Sequence, residues 1–231
     1  MTKIIMKDVS FLYKDGRNIL NNVSIEILEG ENVSILGPSG CGKTSLLGVI
    51  SGINKPISGS VIYEGINERN DISMIFQENN LFDWFNVKDN IILPYKINKR
   101  RVDENRVEEI LKMLKIEDII NKYPSQLSGG EKQRVAIARS LMNKSKFILM
   151  DEPFSAIDPL SKEVIRKEIK SILSSESVTT IMVTHDIEEA VLFGDKIIIF
   201  KDKSGNIEKI IEKKGKKDKI LIDEIRKIIF G

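Results

Sequence analysis

Apolar and polar residues alternate through residues 2–13 and again through 20–28, with the pair Asp15-Gly16 between them. Period-two alternation bounded by a turn dipeptide predicts two strands paired antiparallel. Residues 32–36 form a short apolar run that leads into a glycine-rich loop. A helix is predicted from about Lys43, carrying Leu46, Leu47, Val49 and Ile50 as far as Gly52. Two further strands are predicted at 59–63 and 72–76.

From about Gln77 to Leu141 the β pattern fades. Val102, Val107, Ile110, Leu111 and Leu114 recur at helical spacing with charged residues on the opposite face, which predicts a helix over 102–114. A second is predicted over 130–142. The β/α alternation then resumes. Residues 147–150 and 179–183 are continuously apolar, as strands of a parallel sheet covered on both faces must be, and residues 160–173 read as the helix between them. Residues 197–200 and 207–211 flank a Lys203-Ser204-Gly205-Asn206 turn. The last element, 218–230, is an amphipathic helix whose apolar residues Leu221, Ile222, Ile225, Ile228 and Ile229 read as a cap on the core. The pattern predicts an α/β fold in a single domain, 1–231. An antiparallel β subdomain lies at its start and a helical insertion subdomain spans 78–141.

Composition narrows the partners. Of 231 residues, 41% are hydrophobic and 30% charged, a globular balance. Lys+Arg 36 against Asp+Glu 34 leaves a net charge of +2, which argues against a nucleic-acid coat. Cys41 is the single cysteine, so no internal disulfide can form and a reducing compartment is expected. No run approaches about 18 apolar residues, and the N-terminal stretch lacks the features of a signal peptide, so work at a membrane would require a partner. A lysine-rich patch at 213–219 reads as a solvated loop, with contact to anionic headgroups as the alternative.

The glycine-rich loop carries the first chemistry. Gly37-Pro38-Ser39-Gly40-Cys41-Gly42-Lys43-Thr44 is G-x-x-x-x-G-K-T between a strand and a helix. Glycines let consecutive N–H groups turn inward and cradle a phosphate at the helix N-terminus, Lys43 adds a point charge, and the Thr44 hydroxyl, followed by Ser45, is placed for Mg²⁺ and phosphate. Cys41 reads as a tolerated small residue. The second motif, Phe147-Ile148-Leu149-Met150-Asp151-Glu152, ends an apolar strand in two carboxylates. Asp151 is placed to hold Mg²⁺ and Glu152 to polarise an attacking water. Alone, the pair would be an acidic turn after a core strand. The third is Leu127-Ser128-Gly129-Gly130-Glu131, which opens a helix. Local physics favours an ordinary capping box between Ser128 and Glu131 over an anion site.

The phosphate loop together with the LSGGE segment ahead of the acidic strand resembles the nucleotide-binding subunits of ABC transporters, along essentially the whole chain. The fold implied is a P-loop NTPase core of the ABC ATPase type. The resemblance implies ATP and Mg²⁺ as ligands and a head-to-tail dimer with a second copy of the chain. In that dimer Ser128, Gly129 and Gly130 reach the γ-phosphate of ATP held by the other copy. It further implies that Gln77 contacts Mg²⁺ and links the site to a membrane subunit. Ser155-Ala156-Ile157-Asp158 matches the D-loop, with Ile157 where leucine is usual. His185, the one histidine, matches the residue that contacts the γ-phosphate and steadies Glu152. Tyr13 matches the aromatic that stacks on adenine, with Phe11 as the alternative.

A nucleotide-binding domain with no fused membrane domain implies an importer with separate transmembrane permease subunits and, indirectly, an extracytoplasmic solute-binding protein. The chain would then lie on the cytoplasmic face of the cell membrane. The segment from Gln77 to Asn90 is similar to that of the nitrate/sulfonate/taurine importer group, with Phe82-Asp83 replacing leucine-proline. Trp84 and Phe85 read equally as a docking surface and as packing under the helical insertion. The rival is a non-transport ABC ATPase of a DNA or ribosome complex; the long coiled-coil insertion or second ATPase domain usual there is not in the sequence. Intact Lys43, Asp151, Glu152 and His185 argue against a binding module without turnover.

Overall fold

The computed structural model describes residues 2–13, 16, 18–67, 71–78 and 80–230. Strands β1 (Lys3–Leu12) and β2 (Asn18–Leu28) pair antiparallel. Of the turn expected between them, Asp15 lies outside the described residues, while the Gly16 N–H donates to the Tyr13 carbonyl at 2.9 Å. Next come β3 (Val33–Leu36) and α1 (Lys43–Ile50), after which β4 (Ser58–Glu64) returns to the other edge of β1. Buried Ile4, Met6, Val9, Leu20, Val23 and Ile27 put one face of this sheet against α1 and the second sheet, as the alternation requires.

The second sheet adds β5 (Ile72–Ile75), β6 (Phe147–Asp151), β7 (Thr179–Thr184), β8 (Lys196–Ile199) and β9 (Lys209–Glu212). Among the described residues its order is β5-β6-β7-β3-β8-β9; only β9 runs antiparallel to its neighbour. Successive residues of β6 feed different cores. Phe147 and Leu149 pack toward α1, and Ile148 and Met150 toward the helices on the far face. A strand covered on both faces has no polar side, which explains the unbroken apolar run.

Between β5 and β6 the chain forms α2 (Val87–Ile97), α3 (Glu104–Leu114) and α4 (Gly129–Met142). Helices α5 (Pro159–Ser175) and α6 (Ile187–Phe193) flank β7, and α7 (Asp218–Phe230) follows β9. Leu221 and Ile225 of α7 are fully buried against Ile197, Ile199 and Val191. Among the described residues no helix is long and apolar enough to cross a membrane.

The periodicity reading did not anticipate α2 and α6. Pro94 inside α2 reads as a helix breaker, yet it removes only one hydrogen bond, and α2 is held by other means. Asn86 caps it by accepting from the Asp89 N–H at 2.8 Å. Buried Asn90 donates to the carbonyls of Phe82, Phe85 and Asn86 and accepts from the Phe82 N–H. With seven residues, α6 is too short for a clear period.

Candidate functional site

Parallel strands deliver their following loops to one edge of a sheet. Here Leu36 pairs with Thr184, Val183 with Asp151, and Met150 with Ile75. The residues after β3, β5, β6 and β7 therefore emerge side by side. They are the glycine loop, Gln77, Asp151-Glu152 and His185.

A cleft of about 430 Å³ opens at this edge, lined by Tyr13, Ile19, Ser39, Gly40, Gly42, Lys43, Thr44, Ser45, Gln77 and Glu152. Lys43 is buried, and its ammonium donates to the carbonyls of Gly37 and Pro38 at 2.8 Å each. The cation is thus held inside the loop that precedes it, at the N-terminus of α1. Gly40 and Gly42 have φ of 80° and 104°, the left-handed backbone that turns N–H groups to one side. A Cβ on Gly42 would also sit 2.6 Å from the Ile19 carbonyl oxygen, so no other residue fits there. Cys41 is buried beneath the loop, and burial pushes its thiol above the usual range against the pull of Lys43. It is an inert packing residue.

Two side-chain pairs join the strands across this edge. The Thr44 hydroxyl donates to Asp151 Oδ1 at 3.0 Å. Burial and the neighbouring Glu152 charge raise the Asp151 carboxyl, opposed by that hydroxyl and by Lys43. A cation beside Thr44 and Asp151 would relieve that cost, and hydroxyl, carboxylate and the Gln77 amide are the oxygen donors a hard ion such as Mg²⁺ takes. The donor set therefore fits. In the second pair, His185 Nδ1 lies 3.1 Å from Glu152 Oε2. Glu152 holds a left-handed backbone, φ 44°, with its N–H on the Val183 carbonyl at 3.0 Å. A non-glycine residue in that region is uncommon, and here it turns the carboxylate off the line of β6 into the cleft.

Tyr13 is 43% exposed on the cleft rim, its hydroxyl 3.0 Å from Ser45 Oγ, whereas Phe11 is buried and meets Tyr13 edge-on. Only Tyr13 of the two presents a face to the cleft. Ile19 was missed by motif reading, because an apolar residue at a strand start carries no signal of its own.

Ser128, Gly129, Gly130 and Asp158 do not line this cleft. Ser128 is exposed and caps α4. Its hydroxyl accepts from the Glu131 N–H at 3.3 Å, and Glu131 accepts from the Ser128 N–H at 2.7 Å. The capping box favoured by local physics is present, with Ser128 exposed and Gly129 and Gly130 half-buried at that end of the helix. A Cβ on Gly129 would collide with the Ala156 carbonyl oxygen, and one on Gly130 would press on Ile165 of α5, so Gly129 packs on the loop before α5 and Gly130 on that helix. Asp158 caps α5 by accepting from the Leu160 N–H at 2.9 Å. The Asp158 carboxyl is held below its usual range by Ser161 and the Leu160 N–H.

Beside Gln77, Phe82, Trp84 and Phe85 pack on one another, with Phe82 and Trp84 centroids 5.2 Å apart. Trp84 is 70% exposed and Phe85 half-buried, so the outward reading describes Trp84 and the packed one Phe85. Phe82 borders a separate groove of about 770 Å³, shared with Phe76, Pro94, Ile97 and Arg139.

The ABC transporter family pattern matches residues 20–155. A spermidine/putrescine import ATP-binding protein of Lawsonia intracellularis is 39% identical over 215 residues, covering 90% of this chain and 58% of its own length. An aliphatic sulfonates import ATP-binding protein of Bacillus cereus is 35% identical over 199 residues, covering 85% of this chain and 79% of its own. The chain thus spans a little over half the length of the first relative. An ATP-binding cassette solved as a dimer in a post-hydrolysis state with ADP and Pi superposes with a TM-score of 0.78. It is 36% identical, with 90% of this chain and 98% of that one covered. The chain belongs to the ABC transporter family and has the fold of its ATP-binding cassettes.

Proposed function

We propose that the chain is the ATP-hydrolysing subunit of an ABC importer. One observation carries the reading: Lys43, the Thr44–Asp151 pair and the Glu152–His185 pair converge on a single cleft. ATP binds with its phosphates on residues 37–45 and its base against Tyr13. Thr44, Gln77 and Asp151 hold Mg²⁺, which supplies charge neutralisation at the phosphates. Glu152 takes the proton of the attacking water, and His185 keeps Glu152 in place.

Ser128, Gly129, Gly130 and Asp158 serve the ATP of a second copy in a head-to-tail dimer. Support comes from their placement outside the chain's own cleft, with Ser128 and Asp158 exposed, and from the dimeric form of the ADP- and Pi-bound relative. Permease subunits dock near Gln77, on Trp84 and the groove beside Arg139. That places the chain on the cytoplasmic face of the membrane, with a solute-binding protein opposite. An exposed aromatic next to a groove of mixed apolar and polar lining has the character of a docking site. The solute is a small molecule of the nitrate/sulfonate/taurine kind, a reading supported by the segment 77–90 and the sulfonate relative. Polyamine uptake is the second reading, favoured by the higher identity of the spermidine/putrescine relative.

The test is Glu152→Gln. Turnover is expected to fall about 10²- to 10⁴-fold, the usual worth of a general base, while ATP affinity persists and gel filtration shows an ATP-held dimer. Normal hydrolysis by this variant would refute the assignment. Reconstitution with the co-purified permease, scored by which solute stimulates hydrolysis, decides the solute class.

A further inference from the structure

Behind His185, outside the cleft, lies a charged cluster that the proposed function leaves unused. Thr184, the last residue of β7, is buried; its hydroxyl donates to Glu189 Oε2 at 2.5 Å and accepts from the Asp186 N–H at 3.0 Å. Glu189 of α6 is 3% exposed, and its Oε1 lies 2.7 Å from Lys162 Nζ and 3.6 Å from Arg166 Nη1. Asp186 caps α6 through Oδ1, while its Oδ2 faces Arg166 Nη1 at 3.2 Å and Lys162 Nζ at 3.6 Å. Glu188 Oε2 completes the ring, 4.0 Å from Arg166 Nη2. Both cations project from α5.

Stability does not account for this cluster. Burying an ion pair costs desolvation that its attraction barely repays, and well-packed apolar residues commonly serve as well. The Arg166 Nε, buried, finds no acceptor among the described residues, a further cost. What the cluster does supply is direction. Asp186 is tied to α5 directly and Thr184 through Glu189, and between them His185 is the residue left pointing out, half exposed and 3.1 Å from Glu152. Helix α5 in turn begins at the Asp158 cap, directly after the loop that Gly129 packs against.

We propose that Arg166 and Glu189 are positioning residues for His185: by tying residues 184 and 186 to α5 they hold the imidazole on Glu152, and they join its placement to the loop 155–158. This rests on the ATPase reading for its consequence in turnover, but not for its geometry.

The chain has one histidine, so one imidazole signal in an NMR spectrum belongs to His185 without assignment. In the nucleotide-free chain, Arg166→Met and Glu189→Gln are expected to move that signal in the direction that Glu152→Gln moves it, with Arg166→Lys staying nearer the parent. In kinetics the first two variants are expected to lower kcat about tenfold while KM for ATP changes less than twofold, because the phosphate loop is untouched. An imidazole signal that stays put in both variants overturns the proposal, whatever their melting temperatures; a purely structural cluster gives that result. If Arg166→Met does not fold, Glu189→Gln carries the comparison, with Arg166→Lys as the conservative control. Should the parent chain show no hydrolysis, the ATPase reading fails and the imidazole signal still decides this one.

Discussion

The cleft at the sheet edge and the LSGGE turn at the start of α4 are both glycine-rich helix openings, yet they are finished differently. In the first, side chains meet one another. Lys43 is satisfied by loop carbonyls, Thr44 meets Asp151, and Glu152 meets His185. In the second, the side chains among the described residues make the capping box and a 3.9 Å ion pair of Glu131 with Lys122, and no group from a strand arrives to complete a site. The difference teaches that anion-binding geometry at a helix N-terminus is common, while a reactive centre needs groups from several strands at one place. The cleft has them within one chain. The LSGGE turn would have them only opposite another.

Three experiments press on this contrast, from the largest effect to the smallest. Lys43→Ala removes the charged donor that the proposed function assigns to phosphate. Hydrogen bonds to charged groups contribute about 1.5–3 kcal/mol, so nucleotide affinity by calorimetry should fall roughly 10- to 150-fold. Unchanged affinity would mean that the cleft does not hold the phosphates. Gly129→Val collides with the Ala156 carbonyl and blunts the outward turn. Turnover should drop about tenfold, the scale of one displaced polar contact, while the isolated chain keeps its ATP affinity. Loss of affinity in the monomer would erase the distinction between the two regions.

The third concerns Glu131. Its carboxyl is held below the usual carboxylate range, first by the Ser128 N–H, opposed by partial burial. A carboxyl whose folded pKa is depressed stabilises the fold above its unfolded pKa of about 4.3, and that contribution disappears as pH falls through the lower folded value. Glu131→Gln should cost about 0.5 kcal/mol at neutral pH, the low end for an exposed cap, and flatten the acid limb of a melting curve. A full-size acid limb in the variant would remove Glu131 as its source.

Most of the sheet could be read from the chain because its strands are short, continuously apolar and punctuated by glycine or acidic turns. The phosphate loop and Asp151-Glu152 were legible for the same reason, since each follows directly on such a strand. Helix α2 was hidden by Pro94, and what holds it, the four bonds of Asn90 to residues 82–86, is tertiary and leaves no pattern. Ile19 enters the cleft only because β2 folds beneath the loop. Arg166 and Glu189 are spaced as ordinary charged helix residues, and nothing local marks them as buried. Their meeting depends on α5 and α6 packing beside β7.

The position of β3 has a consequence for how the chain is made. Residues 33–36 precede both neighbours of β3 in the sheet by more than a hundred residues, since β7 and β8 are synthesised only after residue 178. A nascent chain that has reached α5 already contains Lys43, Asp151 and Glu152, yet lacks the strand that stands between them. Long-range parallel pairing of this kind is slow, and unpaired strand edges invite association with other chains. If the chain binds ATP as proposed, fragments ending before β7 are expected to be sticky and without ATP affinity.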